Sequence, residues 1–157
     1  MSKTLTVNNT SFNYPDAGEP KGWGEEATAW AEEVTDVLSD LKGPNDILQS
    51  SFSIGNNQST FADVVGLIFD PGQVRSATIQ YNIYRVTDTQ ELSEEGVLRV
   101  VYKNNAAVFE LTQDSSGDSG VSFQILSTGQ VQYSSSLVAG VGYVGTMKFR
   151  AQTLEQI

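Results

Sequence analysis

Hydrophobic and polar positions alternate along most of the chain beyond its first third. Ala77, Ile79, Tyr81 and Ile83 fall on one face of an extended segment, with Thr78, Gln80, Asn82 and Tyr84 on the other. The same period of two recurs at Leu98, Val100 and Tyr102, at Ala107, Phe109 and Leu111, and at Val121, Phe123 and Ile125. It recurs again at Val131 and Tyr133 and in a last run carrying Tyr143, Met147, Phe149 and Ala151. Such alternation predicts half-buried β-strands. Turn-forming residues punctuate the runs at Asp70-Pro71-Gly72, Glu95-Gly96, Asn104-Asn105, Ser116-Gly117-Asp118 and Thr128-Gly129. Asn104-Asn105 predicts a tight hairpin, because asparagine tolerates positive φ. Ile47, Phe52 and Ile54 supply a first strand, and the apolar run 61–69 predicts one buried on both faces. About eight short strands fit this stretch, which predicts an antiparallel β-sandwich or jelly roll over residues 44–157.

The pattern changes before residue 44. Over residues 25–43 the apolar positions Ala27, Trp30, Ala31, Val34, Val37, Leu38 and Leu41 recur at helical spacing, and Ala27, Val34 and Leu41 are seven apart. Glu32, Glu33, Asp36, Ser39 and Asp40 occupy the opposite face. Glu25 and Glu26 suit the positive end of a helix dipole, and Gly43-Pro44 is a stop signal. This predicts one amphipathic helix of little more than two heptads. It suits either a helix lying on a sheet or a short self-associating stalk. Residues 1–24 are polar, with Pro15, Gly18, Pro20, Gly22 and Gly24 interrupting any long element. They nevertheless carry Phe12, Tyr14 and Trp23. These aromatics, with Pro15, suit either packing on the chain's own domain or an extended arm that docks on a partner.

Composition narrows the chemistry. The 157 residues include neither cysteine nor histidine. Disulfides, thiol catalysis, Ser-His-Asp triads and the usual zinc sites are excluded by that alone. The formal net charge of −10 argues against binding to nucleic acid or anionic membranes. No apolar run approaches the roughly 20 residues of a membrane span. The start of the chain lacks the apolar core of a signal peptide, so a soluble protein without membrane insertion is expected.

Gly140-Val141-Gly142-Tyr143-Val144-Gly145 matches the spacing of a dinucleotide fingerprint, but no helix follows to hold a pyrophosphate. It is expected to be a bulge or a loop entering the last strand. Asp114-Ser115-Ser116-Gly117-Asp118 resembles half a calcium loop without the distal glutamate and is expected to be a solvated hairpin loop. Glu91, Glu94 and Glu95 are expected to be a solvated cluster between strands. The reading therefore contains no catalytic residue, no metal ligand and no cofactor. Tyr81, Tyr84, Tyr102, Tyr133 and Tyr143 are candidates for a sugar-binding platform.

The run Phe12 to Pro20, then Lys21-Gly22-Trp23-Gly24 and the Ala/Trp/Glu-rich helix, resembles N-terminal anchoring segments of virion structural proteins from tailed bacteriophages. The stretches Ser76 to Asp88, Gly129 to Leu137 and Gly145 to Ala151 resemble a β domain of such proteins. The resemblance implies a non-enzymatic capsid decoration (cement or head-fibre) protein, or a short tail fibre or receptor-binding knob. It implies a homotrimer held at residues 25–43. Docking through Phe12, Tyr14, Pro15 and Trp23 onto the major capsid protein or another virion protein follows from the same resemblance. The β domain would face solvent, with a host-surface glycan as a further candidate partner. A carbohydrate-binding β-sandwich module is the alternative of a different class.

Overall fold

The computed structural model describes residues 3–7, 10–14, 24–40, 43 and 45–157. They belong to two compact units, Met1–Lys42 and Gly43–Ile157. In the first, β1 (Lys3–Val7) pairs antiparallel with β2 (Thr10–Tyr14), with Lys3 opposite Tyr14 and Val7 opposite Thr10. The segment read as an extended arm thus begins with a short hairpin. Its β-branched Thr4, Thr6, Val7 and Thr10 favour extended backbone, and the disrupting prolines come only after β2. The helix α1 follows (Gly24–Asp40).

The second unit is antiparallel β and holds two sheets. The larger has the order β3 (Ile47–Ser53), β10 (Val144–Glu155), β5 (Val74–Val86), β6 (Glu91–Lys103) and β7 (Val108–Gly117). The smaller has the order β4 (Ala62–Ile68), β9 (Gln130–Ser135) and β8 (Val121–Ile125). The alternating residues pack as their period requires. Ile79 and Ile83 of β5, Leu98 and Val100 of β6, and Met147 and Phe149 of β10 are buried. They share one core with Val64, Leu67, Val121, Val131 and Tyr133 from the smaller sheet. Phe52 meets Tyr133 edge-on at 5.2 Å, and Tyr81 meets Phe123 at 5.3 Å. Each pair crosses from one sheet to the other and contributes about 0.5–1.5 kcal/mol beyond its buried area.

Several turn expectations are corrected. Glu95-Gly96 lies in the middle of β6, where Gly96 pairs with Tyr81 and Ser115. A Cβ at residue 96 would stand 2.7 Å from both the Tyr81 hydroxyl and the Asp114 carbonyl oxygen. This glycine makes room for a neighbouring side chain and does not bend the strand. The connection after β6 is also not governed by its asparagines. The positive φ falls on Ala107 (51°), whose N–H donates to the Asn104 carbonyl at 3.3 Å. The run 61–69 is not buried on both faces either. Gly66, at φ +84°, breaks the register of β4, so Val64, Leu67 and Phe69 turn inward while Val65 and Ile68 remain 74% and 52% exposed. The stretch from Asp114 to Gly117 is strand, not loop.

The second unit has two distinct poles. The chain enters it where β10 ends. There Asp46 accepts from the Thr153 N–H at 2.6 Å and the Thr153 hydroxyl at 3.0 Å, while the Asn45 N–H donates to Thr153 Oγ1 at 3.2 Å. Gln156 donates nearby to the carbonyls of Pro71 and Val74. The 13 residues of β5 lead from this pole to the other, roughly 40 Å at about 3.3 Å per residue.

Candidate functional site

Four connections gather at the pole far from the chain's point of arrival: residues 54–61, 87–90, 118–120 and 136–143. Arg85, near the end of β5, ties three of them together and is fully buried. Its guanidinium donates to the carbonyls of Ser119 and Ser136 at 2.5 Å each, to Asn56 Oδ1 at 3.4 Å and to the Tyr143 hydroxyl at 3.0 Å. The Tyr143 ring also lies 5.6 Å from its charge centre, a distance at which a ring face attracts a cation. A buried guanidinium is tolerable only when its donors are satisfied. Here neutral oxygens satisfy them, and in doing so they fix the loops.

Glu94, on the adjacent strand, is the buried counterpart. Its two oxygens accept from the Tyr81 hydroxyl at 2.5 Å, Gln113 Nε2 at 2.8 Å, the Ser119 N–H at 3.0 Å and the Ser119 hydroxyl at 2.7 Å. Those four bonds fill the acceptor capacity of a carboxylate. Burial opposes its ionisation, but the bonds from Tyr81 and Ser119 outweigh burial and hold its pKa below the usual 4.5. The Tyr81 phenol is pushed well above its usual 10.0, first by burial and then by Glu94. Ser119 links the two charges, because its carbonyl receives Arg85 while its N–H and hydroxyl serve Glu94.

The loop 136–143 is pinned along both sides. The Asn56 amide donates to the Val138 carbonyl at 3.0 Å and accepts its N–H at 2.8 Å. Asp88 accepts the Val141 N–H at 2.7 Å, and its own N–H donates to the Val141 carbonyl at 3.0 Å. The Thr87 and Thr89 hydroxyls both donate to the Ala139 carbonyl. With its backbone so engaged, the loop leaves Leu137 and Val141 63% and 71% exposed.

No protein-family model matches this chain. No curated protein sequence matches it either. Among solved structures, part of the tailspike protein of Acinetobacter phage vB_ApiP_P1 is similar in fold, with a TM-score of 0.39 and 12% sequence identity. The match covers 69% of this chain and 22% of that one, so the chain spans under a quarter of that tailspike's length.

The residues singled out in the sequence fall as follows. Phe12 and Tyr14 are in β2, whereas Pro15 and Trp23 lie outside the described residues, as does Leu41. On α1, Ala27, Val34 and Val37 are half-buried, and Trp30, Ala31 and Leu38 are exposed. The tyrosines do not assemble into one platform. Tyr81 and Tyr133 are buried in the core, Tyr102 packs against Phe109 at 4.8 Å with the rings tilted by 51°, and Tyr143 serves Arg85. Only Tyr84 of the five is exposed, at 40%. The supposed acidic cluster is likewise dispersed. Glu91, Glu94 and Glu95 all belong to β6, and Glu94 points inward. The glycine motif 140–145 spans the end of the loop entering β10 and that strand's first two residues, Val144 and Gly145.

Arg85 was not singled out from the sequence, and Glu94 was expected in a solvated cluster, not in the core. A signal was present: both fall in register with apolar residues on the inward face of their strands, two positions after Ile83 and four before Leu98.

Proposed function

We propose that this chain is a non-enzymatic structural protein of a tailed-phage virion, most specifically a trimeric capsid decoration protein. In this reading residues 1–24 dock on the major capsid protein or another virion protein, and α1 joins three copies. The β unit faces solvent. The observation that carries the reading is the polarity of the β unit. The chain arrives at one pole, clamped by Asn45, Asp46 and Thr153, and the pinned loops stand at the opposite pole. That division suits a module held at one end and displayed at the other. Three docking arms would convert a weak contact into a firm one through avidity.

The non-enzymatic part rests on the site chemistry. The chain has no histidine or cysteine, and the buried carboxylate of Glu94 has its acceptor positions occupied by protein donors. A carboxylate so engaged does not serve as a general base. A short tail fibre or receptor-binding knob is the second reading. It is favoured by the exposed Leu137 and Val141 on a loop whose backbone is already fixed.

Light scattering on the full chain and on Gly43–Ile157 tests the assembly. A trimer of 17.0 kDa chains has a mass of roughly 51 kDa in one closed ring. A trimeric full chain with a monomeric Gly43–Ile157 supports α1 as the joint. Trimers from both place the joint in the β unit. A monomeric full chain removes the trimeric decoration reading.

A further inference from the structure

The outer face of the five-stranded sheet mixes polar residues with exposed Leu48, Val101 and Leu154, and its cations are unevenly placed. β10 puts Lys148 and Arg150 on that face two residues apart, roughly 7 Å along the strand. Strand pairing sets Asn82 and Ser51 on either side of Lys148, and Gln80 beside Arg150. On the other flank β3 slips by one residue, because Ser50 pairs with Phe149 but Ile47 pairs with Ala151. The bulge leaves both Leu48 and Gln49 exposed beside Arg150. Gln49, Gln80, Asn82, Lys148 and Arg150 line a shallow depression of about 290 Å³. Its floor is the backbone of Tyr81 and Phe149, whose side chains are in the core.

The charges here are free to act on a ligand. Of the other cations in the β unit, Arg75 is half-buried near the start of β5, Arg85 is buried on neutral oxygens, Arg99 faces Asp114 at 3.8 Å, and Lys103 pairs with Glu110 at 2.5 Å. Among the described residues, Lys148 and Arg150 have no carboxylate within ion-pair distance. Arg150 Nε donates to Gln80 Oε1 at 2.7 Å. That bond orients the guanidinium and leaves its terminal nitrogens available.

We propose that this depression binds a carboxylate-bearing saccharide. A guanidinium fork and a neighbouring ammonium match one carboxylate. The three side-chain amides both donate and accept, which is the complement of sugar hydroxyls. The volume lies at the small end of ligand sites and suits one ring of a longer chain lying across the sheet. A uronate polymer carries one charge per ring. It is therefore repelled less by a chain of net charge −10 than a duplex with a charge about every 1.7 Å. The site lies wholly within the β unit and does not depend on the virion reading.

The test is a titration of the full chain with an oligogalacturonate, followed by calorimetry and by amide NMR shifts. Saturable binding that shifts Gln80, Asn82 and Lys148 is expected. The double variant Lys148→Gln/Arg150→Gln should weaken it by about tenfold or more, as expected for lost charge-assisted bonds. Arg150→Lys, which keeps the charge but loses the fork, should weaken it severalfold. Arg75→Gln, at a cation outside the depression, should leave it unchanged. Lys148 and Arg150 are exposed and Arg75 is half-buried, so melting temperatures should stay close and report intact folding. No saturable binding, equal affinity for a neutral malto-oligosaccharide, or an unaltered affinity in the double variant each overturns the proposal. Equally tight binding of dextran sulfate also overturns it, by marking a non-specific ionic surface.

Discussion

Single residues at the far pole show how burial and charge set the behaviour of this fold. Glu94 is ionised more readily in the folded chain than in the unfolded one, so its contribution to stability is full above about pH 4.5. It is lost as pH falls through the lower folded value, because the unfolded chain then takes up the proton more readily. Glu94→Gln places an amide donor against the Ser119 N–H and hydroxyl or the Tyr81 hydroxyl. It should cost about 1–3 kcal/mol at pH 7 and distinctly less at pH 3, read from urea midpoints at both. An equal cost at the two pH values would mean that the carboxylate charge contributes nothing. Tyr81 has the opposite sign: its contribution is present below 10.0 and fades as pH rises through the raised folded value. Exchanges between alanine and glycine should likewise act in opposite directions at two sites in one hairpin. Gly96→Ala forces a methyl against the Asp114 carbonyl and Tyr81 hydroxyl and should destabilise by about 1–3 kcal/mol. Ala107→Gly relieves a left-handed backbone at an exposed position and should stabilise by up to about 1 kcal/mol. Thermal melts of the two variants give both signs directly.

At the scale of elements, the loop 136–143 is the part whose order is least expected from its sequence. It contains Gly140 and Gly142, yet side chains from residues 56 and 87–90 hold its backbone. Hydrogen exchange should therefore find the Val138 and Val141 amides protected. Asp88→Ala should speed exchange at Val141 by at least about tenfold, while Val138, held by Asn56, should change little. Fast exchange at both amides in the unaltered protein would show that the pinning does not hold. The strands themselves were legible because Ile79, Leu98, Val131 and Phe149 each belong to a run that alternates every two residues, and all face one core. What escaped the pattern is long-range. Gly96 looks like a turn until Tyr81 and Asp114 are seen to crowd it from the neighbouring strands. Gly66 looks like part of an apolar run until its positive φ reverses the faces beyond it. Arg85 and Glu94 occupy apolar positions of the alternation, but their partners Ser119 and Ser136 lie more than 20 residues away in the sequence. Local periodicity carries no information about such partners. The depression around Lys148 and Arg150 was hidden for the same reason, since it forms only when β3, β10 and β5 are laid side by side.

At the scale of the whole molecule, the two units differ in what holds them. Gly43–Ile157 has a core built from both its sheets. Met1–Lys42 is close to the size at which isolated folding calls for disulfides, metal or association. The chain contains no cysteine, so no disulfide supports this unit, and the trimer proposed above would supply its support by association. Its helix also carries Glu25, Glu26, Glu32, Glu33, Asp36 and Asp40, so copies brought together repel one another until salt screens them. Heating the full chain should then give two transitions. The lower one belongs to Met1–Lys42 and should rise by about 5–10 °C over a hundredfold increase in protein concentration, as folding linked to assembly requires. Added salt should raise it as well. The upper one should coincide with the melt of isolated Gly43–Ile157 and ignore concentration. If the lower transition is also independent of concentration, Met1–Lys42 is held by contacts within one chain, and its apolar positions serve packing there and not the joining of copies.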